Sequence, residues 1–214
     1  MLVIKECAII CIGLFSMFVN SINLDVPLIY QYPDFPTGCE SIATVEMLQY
    51  FGYDITPDEF INNYLDTISY NDSRIGSFKN IFDAYFVGNP RSTGGWMCNP
   101  AVEVRAVEKY FLKINEVNRS PVDLSGTDFN FLFNELIKGR PVVIWMTIGY
   151  VEPAEGDFWG SQYFTPSHTV VLTGFDKETN KVYICDSIKG HIKLDYSLAK
   201  HLYDAVGRKC FTIK

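Results

Sequence analysis

The sequence predicts an α+β domain in which the helices come first and an antiparallel sheet comes last. Three observations predict it. Apolar residues recur at one-turn helical spacing in segments as far as about Lys138. From Pro141 the texture changes to short β-branched and aromatic runs, PVVIWMTI, HTVVLTG and KVYIC. The turn between the last two of these is only Asp176–Asn180, and short turns join antiparallel neighbours. Helices followed by strands, rather than alternating with them, read as α+β. The 214 residues suffice for one substantial domain, and 48% of them are hydrophobic, enough to fill a core.

Taken in order, the chain opens with an apolar run from Cys7 to Val19 behind Lys5. The run is too short for an ordinary transmembrane helix. Small residues near Val19 and Ser21 fit a secretory cleavage site, so residues 1–21 are expected to be an export signal and 22–214 the domain. Glu6 cancels Lys5, which keeps an uncleaved N-terminal anchor as the alternative. The expected location is secreted or cell-surface.

Asn23–Tyr30 is extended and apolar. A glycine-broken loop then runs into a helix that carries Ile42, Val45, Leu48 and Phe51 on one face and stops at Gly52. Thr37 reads as its N-cap, with Glu40 as the capping-box partner. Thr56-Pro57 starts a second helix that runs to about Leu65. Residues 69–99 read as irregular. Pro100 opens a third helix with Val104, Val107 and Phe111 on one face. A fourth, Asp128–Lys138, ends at Gly139 and Pro141. Strands follow at 141–148, 168–174, 181–185, 191–194 and 209–213, with an irregular acidic loop at 149–166.

Cys39 stands where the first helix begins. There it meets unpaired backbone N–H groups and the positive end of the helix dipole, and both favour the nucleophilic thiolate. A buried core thiol or half a disulfide is the plain alternative. About 130 residues on lies His168. If the following hairpin folds about Lys177, His168 faces Asp186 within side-chain reach, and a carboxylate-held histidine is an oriented base. Cys39, His168 and Asp186 thus have the makings of a nucleophile, its base and the base's orienter. Gln31, just upstream on the incoming loop, is placed to pair its amide with the Cys39 N–H around an oxyanion. The loops 86–99 and 149–166 hold Trp96, Trp159 and Tyr163, which are expected to line the substrate cleft.

The segments VPLIYQYPDFPTGCESIATVEMLQYFG, AYFVGNPRSTGGWMCNP, LIKGRPVVIW, SHTVVLTGFD and VYICDS, in that order, resemble the peptidase C39-like family. These are papain-clan cysteine peptidases related to bacteriocin-leader-processing domains. The resemblance implies a papain-like fold, a thiol nucleophile at Cys39, a base at His168, an orienting carboxylate at Asp186 and an oxyanion glutamine at Gln31.

Composition narrows the partners. A formal charge of −7 and the lack of any Lys/Arg-rich run argue against nucleic acid and against a stable membrane partner. Cysteine and histidine spacing matches no metal pattern, and no cofactor is expected. The four cysteines after the N-terminal segment leave disulfide pairing open. The expected activity is hydrolysis of a peptide or other amide. Acyl or aminoacyl transfer by the same thiol and a non-cutting peptide-binding module are the alternatives.

Overall fold

The computed structural model describes residues 19–214. Most of the expected N-terminal signal lies outside the described residues. Its last residues do not: Val19 packs on the core, the Asn20 carbonyl accepts the Lys177 N–H at 2.9 Å, and Ser21 pairs with Asp176. Residues 19–21, at the end of the expected signal, thus lie against the domain.

Strand β1 is Ser21–Asn23. Helix α1 is Cys39–Tyr50, begun by Gly38 without a side-chain cap. Thr37 is not its N-cap. The Thr37 hydroxyl turns away and donates to the Ser92 carbonyl at 2.9 Å, tying the incoming loop to the loop at 88–95. Helix α2, Pro57–Asn63, is capped as its sequence predicts, with the Thr56 hydroxyl accepting the Glu59 N–H at 3.1 Å. Strand β2 (Thr67–Ile68) precedes the stretch expected to be irregular, which itself contains the single turn α3 (Ile81–Ala84) and β3 (Phe86–Val87), with β2 and β3 paired in parallel. A small core of Ile68, Ile75, Ile81, Phe82, Val87 and Met97 holds it.

Helix α4, Pro100–Ile114, ends on Asn115 in the left-handed region. Strand β4 is Pro121–Asp123. Helix α5, Phe129–Ile137, is capped by Asp128 and stopped by Gly139 at φ +74°. Strand β5 is Val142–Thr147. The expected acidic loop is instead a hairpin of β6 (Ala154–Phe158) and β7 (Ser161–Thr165). Trp159 and Gly160 at its tip both have positive φ, the conformation that closes a two-residue hairpin. Then come β8 (Ser167–Asp176), β9 (Lys181–Asp186), β10 (Gly190–Asp195), helix α6 (Tyr196–Ala205) and β11 (Cys210–Ile213).

The main sheet runs β10-β9-β8-β5-β11-β4, with antiparallel pairing throughout, and β1 joins β8 just beyond the first residue of β5. At that junction a Cβ on Gly174 would sit 2.0 Å from the Ile22 carbonyl oxygen, so only glycine lets β1 dock.

Both faces of the sheet are covered, which explains why β5 reads as an unbroken apolar run. Val143, Trp145 and Val171 point to the side of α1 and α4, against Ala43, Val45, Leu48, Val107 and Phe111. Val142, Ile144, Met146, Val170 and Leu172 point to the side of α5 and α6, against Phe129, Leu132, Leu136, Leu202 and Tyr203. The chain is thus α+β, with its first helices packed on an antiparallel sheet as expected and two later helices covering the far face.

Candidate active site

Cys39 is the first residue of α1 and is buried against the β8 side. Its Sγ lies within hydrogen-bond reach of Glu40 Oε2, at 3.2 Å. Burial pushes the thiol well above its ordinary value, and the neighbouring Glu40 carboxyl, when ionised, pushes the same way. The N–H and hydroxyl of Thr169, the residue after His168, pull it back only in part. This departs from the low value that the helix-start position alone predicts. Removing the sulfur from water outweighs the dipole here, and a carboxyl rather than a cation lies closest.

His168 is at the start of β8 and is 1% exposed. Its Nε2 pairs with Asp186 Oδ1 at 2.9 Å, and Nδ1 is a buried nitrogen with no hydrogen-bond partner. No hydrogen bond therefore joins Cys39 to His168 in this structure. The hairpin register differs from the sequence expectation. Val171 faces Cys185 and Leu172 faces Ile184, so the same ladder extended places Asp186 beside Val170 rather than His168. The offset is two residues. An even offset keeps both side chains on one face, which is why the pair still forms.

Asp186 is held from four directions. Oδ1 accepts His168 Nε2, the Ile188 N–H at 2.8 Å and the Lys189 N–H at 3.3 Å, and Oδ2 accepts the Tyr150 hydroxyl at 2.5 Å. Burial alone would raise this carboxyl. The His168 contact, the Tyr150 hydroxyl and the Ile188 N–H outweigh it and hold the group at about 2.

Tyr150 was not legible as a site residue. It sits at φ +61°, an uncommon conformation for an aromatic side chain, directly after Gly149 at φ +75°. Lys189 lies over its ring, 4.5 Å from the centroid. Only the reversal of the chain after β5, which the sequence shows as a lone Gly149-Tyr150, could have hinted at it.

Gln31 is 2% exposed and fixed at both ends of its amide. Oε1 accepts the Ser187 hydroxyl at 2.7 Å and Nε2 donates to the Pro36 carbonyl at 3.1 Å. Its backbone N–H also donates to the Ser187 carbonyl, which ties the loop before α1 to the residue after Asp186. One Nε2 hydrogen is left, since a primary amide has two.

Of the three aromatics, Trp96 and Tyr163 meet edge to face with centroids 4.7 Å apart, and Phe158 is 4.8 Å from Trp96. The two loops thus form one wall. Its inner end reaches the site, because the Cys98 N–H donates to Glu40 Oε1 at 3.3 Å. Trp159 stands at the hairpin tip, 72% exposed, at the end away from His168. All four described cysteines, Cys39, Cys98, Cys185 and Cys210, are free and buried. Among the described residues no group of three or more His, Cys, Asp or Glu converges as metal ligands would. A depression of about 340 Å³ beside Phe133, Phe175 and Tyr196 holds none of the residues above.

Comparison with known proteins adds to this geometry. The model of a family described as "Peptidase_C39 like family" matches residues 23–209. A Bacillus anthracis crystal structure assigned as a C39-like peptidase superposes with a TM-score of 0.77 at 23% identity, over 92% of this chain and 98% of that one. A double-glycine-motif protease from an AMS/PCAT transporter, solved with its leader peptide, superposes with a TM-score of 0.51 at 14% identity, over 91% and 96% of the two chains. At these identities the two structures show a shared fold alone. Among curated proteins, none matches the sequence.

Proposed function

The chain belongs to the peptidase C39-like family, and on that premise we propose that it is an exported thiol peptidase that cuts through Cys39, His168 and Asp186. The observation that carries the reading is the unpartnered ring nitrogen of His168. His168 gives Nε2 to a carboxylate bound by three further donors and leaves Nδ1 buried and free, as a base awaiting a proton does. Catalytic hydrogen bonds are often incomplete before substrate arrives.

In the proposed cycle Cys39 passes its proton to His168 Nδ1 and attacks the scissile carbonyl. Asp186 stabilises the imidazolium that results. The Cys39 backbone N–H and the remaining Gln31 amide hydrogen hold the oxyanion. The imidazolium then protonates the leaving amine, and water, deprotonated by His168, releases the acyl group. The papain pattern of a resting ion pair is not needed. With the sulfur buried and facing Glu40, the resting nucleophile is the thiol.

Trp96 and Tyr163 form the apolar wall for the substrate, with Trp159 its outermost contact. That a protease of the same fold is solved with a leader peptide supports a peptide substrate. The export signal expected at residues 1–21 would accord with extracellular peptides. Transfer of the acyl group to an amine would use the same residues.

The test is cleavage of a peptide library, read by mass spectrometry, with wild type, Cys39→Ala and Gln31→Ala. The reading expects cleavage to vanish with Cys39→Ala. Gln31→Ala should lower kcat roughly 100-fold with little change in KM, since the bond forms only in the transition state. Cleavage that survives Cys39→Ala would overturn it.

A further inference from the structure

Glu40 and Glu103 are both fully buried, and neither makes an ion pair among the described residues. The Cys98 residue bridges them, its N–H on Glu40 Oε1 at 3.3 Å and its thiol on Glu103 Oε1 at 3.7 Å. Two carboxylates this close, out of water and with no cation in ion-pair contact, do not both ionise.

The donors decide which keeps its proton. Glu103 accepts from the Ser41 hydroxyl at 2.9 Å, the Thr44 hydroxyl at 3.0 Å and the Cys98 thiol. Glu40 has no hydroxyl donor: it accepts its own N–H and, at 3.3 Å, the Cys98 N–H, and its remaining neighbour is the Cys39 sulfur. The charge therefore settles on Glu103 and the proton on Glu40. Because Oε1 is engaged as an acceptor, the proton sits on Oε2, the oxygen 3.2 Å from Cys39 Sγ.

We propose that Glu40 is a further catalytic residue, a neutral carboxylic acid that donates its O–H to the Cys39 thiolate and so eases removal of the thiol proton. This rests on Cys39 being the nucleophile. In the activation step the S–H bond breaks and the proton moves to His168 Nδ1. The Glu40 O–H stays intact and turns from a weak contact with a thiol into a charge-assisted bond to S⁻. Nothing is oxidised or reduced. When the C–S bond forms the sulfur loses its charge and the contact weakens, and hydrolysis of the thioester restores it.

Burial, the largest influence, raises Glu40 to about 8 and Glu103 to about 7, in the order that the donors give. The groups that face the pair are Cys39, Cys98, the hydroxyls of Ser41, Thr44 and Thr169, and Lys209, the residue before β11. Lys209 lies over the Phe164 ring, and burial lowers its own value. Above pH 8 Glu40 should lose its proton. The sulfur then faces a carboxylate in place of a donor.

The experiment is alkylation of the full chain by iodoacetamide from pH 5 to 10, with the adduct at each cysteine quantified by mass spectrometry. In wild type the Cys39 rate should rise with pH, level off or dip near pH 8, and rise again only beyond it. Glu40→Gln should remove that step, because an amide donates without titrating. It should also lower the neutral-pH rate about 3- to 10-fold, as a weaker donor. Glu40→Leu, if folded by circular dichroism, should lower it further. An unchanged pH profile in Glu40→Gln overturns the Glu40 proposal and leaves Cys39 as nucleophile. Cys39 labelling no faster than Cys98, Cys185 and Cys210 in wild type overturns the nucleophile itself.

Discussion

Replacing Asp186 by asparagine separates the orienting role of this carboxylate from its charge. Oδ1 accepts two backbone N–H groups as well as His168 Nε2, so in Asp186→Asn the amide oxygen must take that place. The amide nitrogen then falls at Oδ2, opposite the Tyr150 hydroxyl, which can turn and accept. The imidazole keeps its tautomer, with Nε2–H bound and Nδ1 free. What is lost is the negative charge beside the imidazolium. Two unit charges about 4 Å apart at an effective dielectric of about 20 attract by about 4 kcal/mol. Sharing of the Asp186 charge among its other donors reduces this, so the loss should be about 2–4 kcal/mol, or roughly 30- to 1000-fold in kcat. In serine hydrolases, where the same change also admits the wrong tautomer, the cost is about 10⁴-fold. Asp186→Ala removes orientation and charge together and should cost more than Asp186→Asn. The assay is kcat and KM for the best-cleaved library peptide, compared across wild type, Asp186→Asn and Asp186→Ala. An asparagine variant as poor as the alanine variant would show that the backbone N–H groups do not fix the amide. One within a factor of a few of wild type would show that no imidazolium forms in the rate-limiting step.

Three further outcomes are expected. Tyr150→Phe removes the one donor on Asp186 Oδ2 and should lower kcat about 5- to 20-fold while leaving KM and melting temperature nearly unchanged; a change in KM alone would place Tyr150 in substrate binding instead. Glu40, Glu46 and Glu103 keep their protons in the fold up to about 8, 8 and 7, against 4.5 for the unfolded chain. The native state then binds more protons than the unfolded one from about pH 4.5 upward. Stability should fall as pH rises through that window, by up to about 1.4 kcal/mol per unit per group. Asp186 acts in the opposite sense, its contribution complete above 3.8 and lost as pH falls through about 2. Guanidinium midpoints at pH 5 and pH 8 check this, and Glu46→Gln should flatten the difference. Gly174→Ala drives a Cβ into the Ile22 carbonyl and should cost about 3 kcal/mol or more, read as a lower melting temperature with β1 detached; a neutral substitution would mean that β1 is not docked there.

What the sequence made legible follows the strength of its local signals. The caps at Thr56 and Asp128, the glycine stop at 139 and the apolar periodicity of α1 and α4 each act within a few residues. Thr37 misled because the same hydroxyl that could cap α1 finds a better acceptor 55 residues away, and sequence cannot see across the fold. The β6–β7 hairpin was missed because AEGDF and the Trp159-Gly160 turn carry neither β-branched residues nor the usual turn pair. Helix α6 follows β10 without a break and has no side-chain cap to announce it. At the site, the His168–Asp186 pair survived a register error because the error was even. The raised thiol was not foreseen, since burial and the pairing of Glu40 with Cys39 arise only when α1 packs against α4 and β8. Tyr150 reaches Asp186 only through a left-handed turn 36 residues earlier.

The central claim is that a peptide is opened by Cys39 through a covalent thioester formed with the help of His168. Rapid acid quench of the enzyme with a cleavable peptide, followed by intact mass and fragment mapping, tests it directly. The account predicts a transient mass increase equal to the N-terminal half of the peptide, located on Cys39 and absent in His168→Ala. Cleavage with no adduct, or an adduct on Cys98, Cys185 or Cys210, would contradict it.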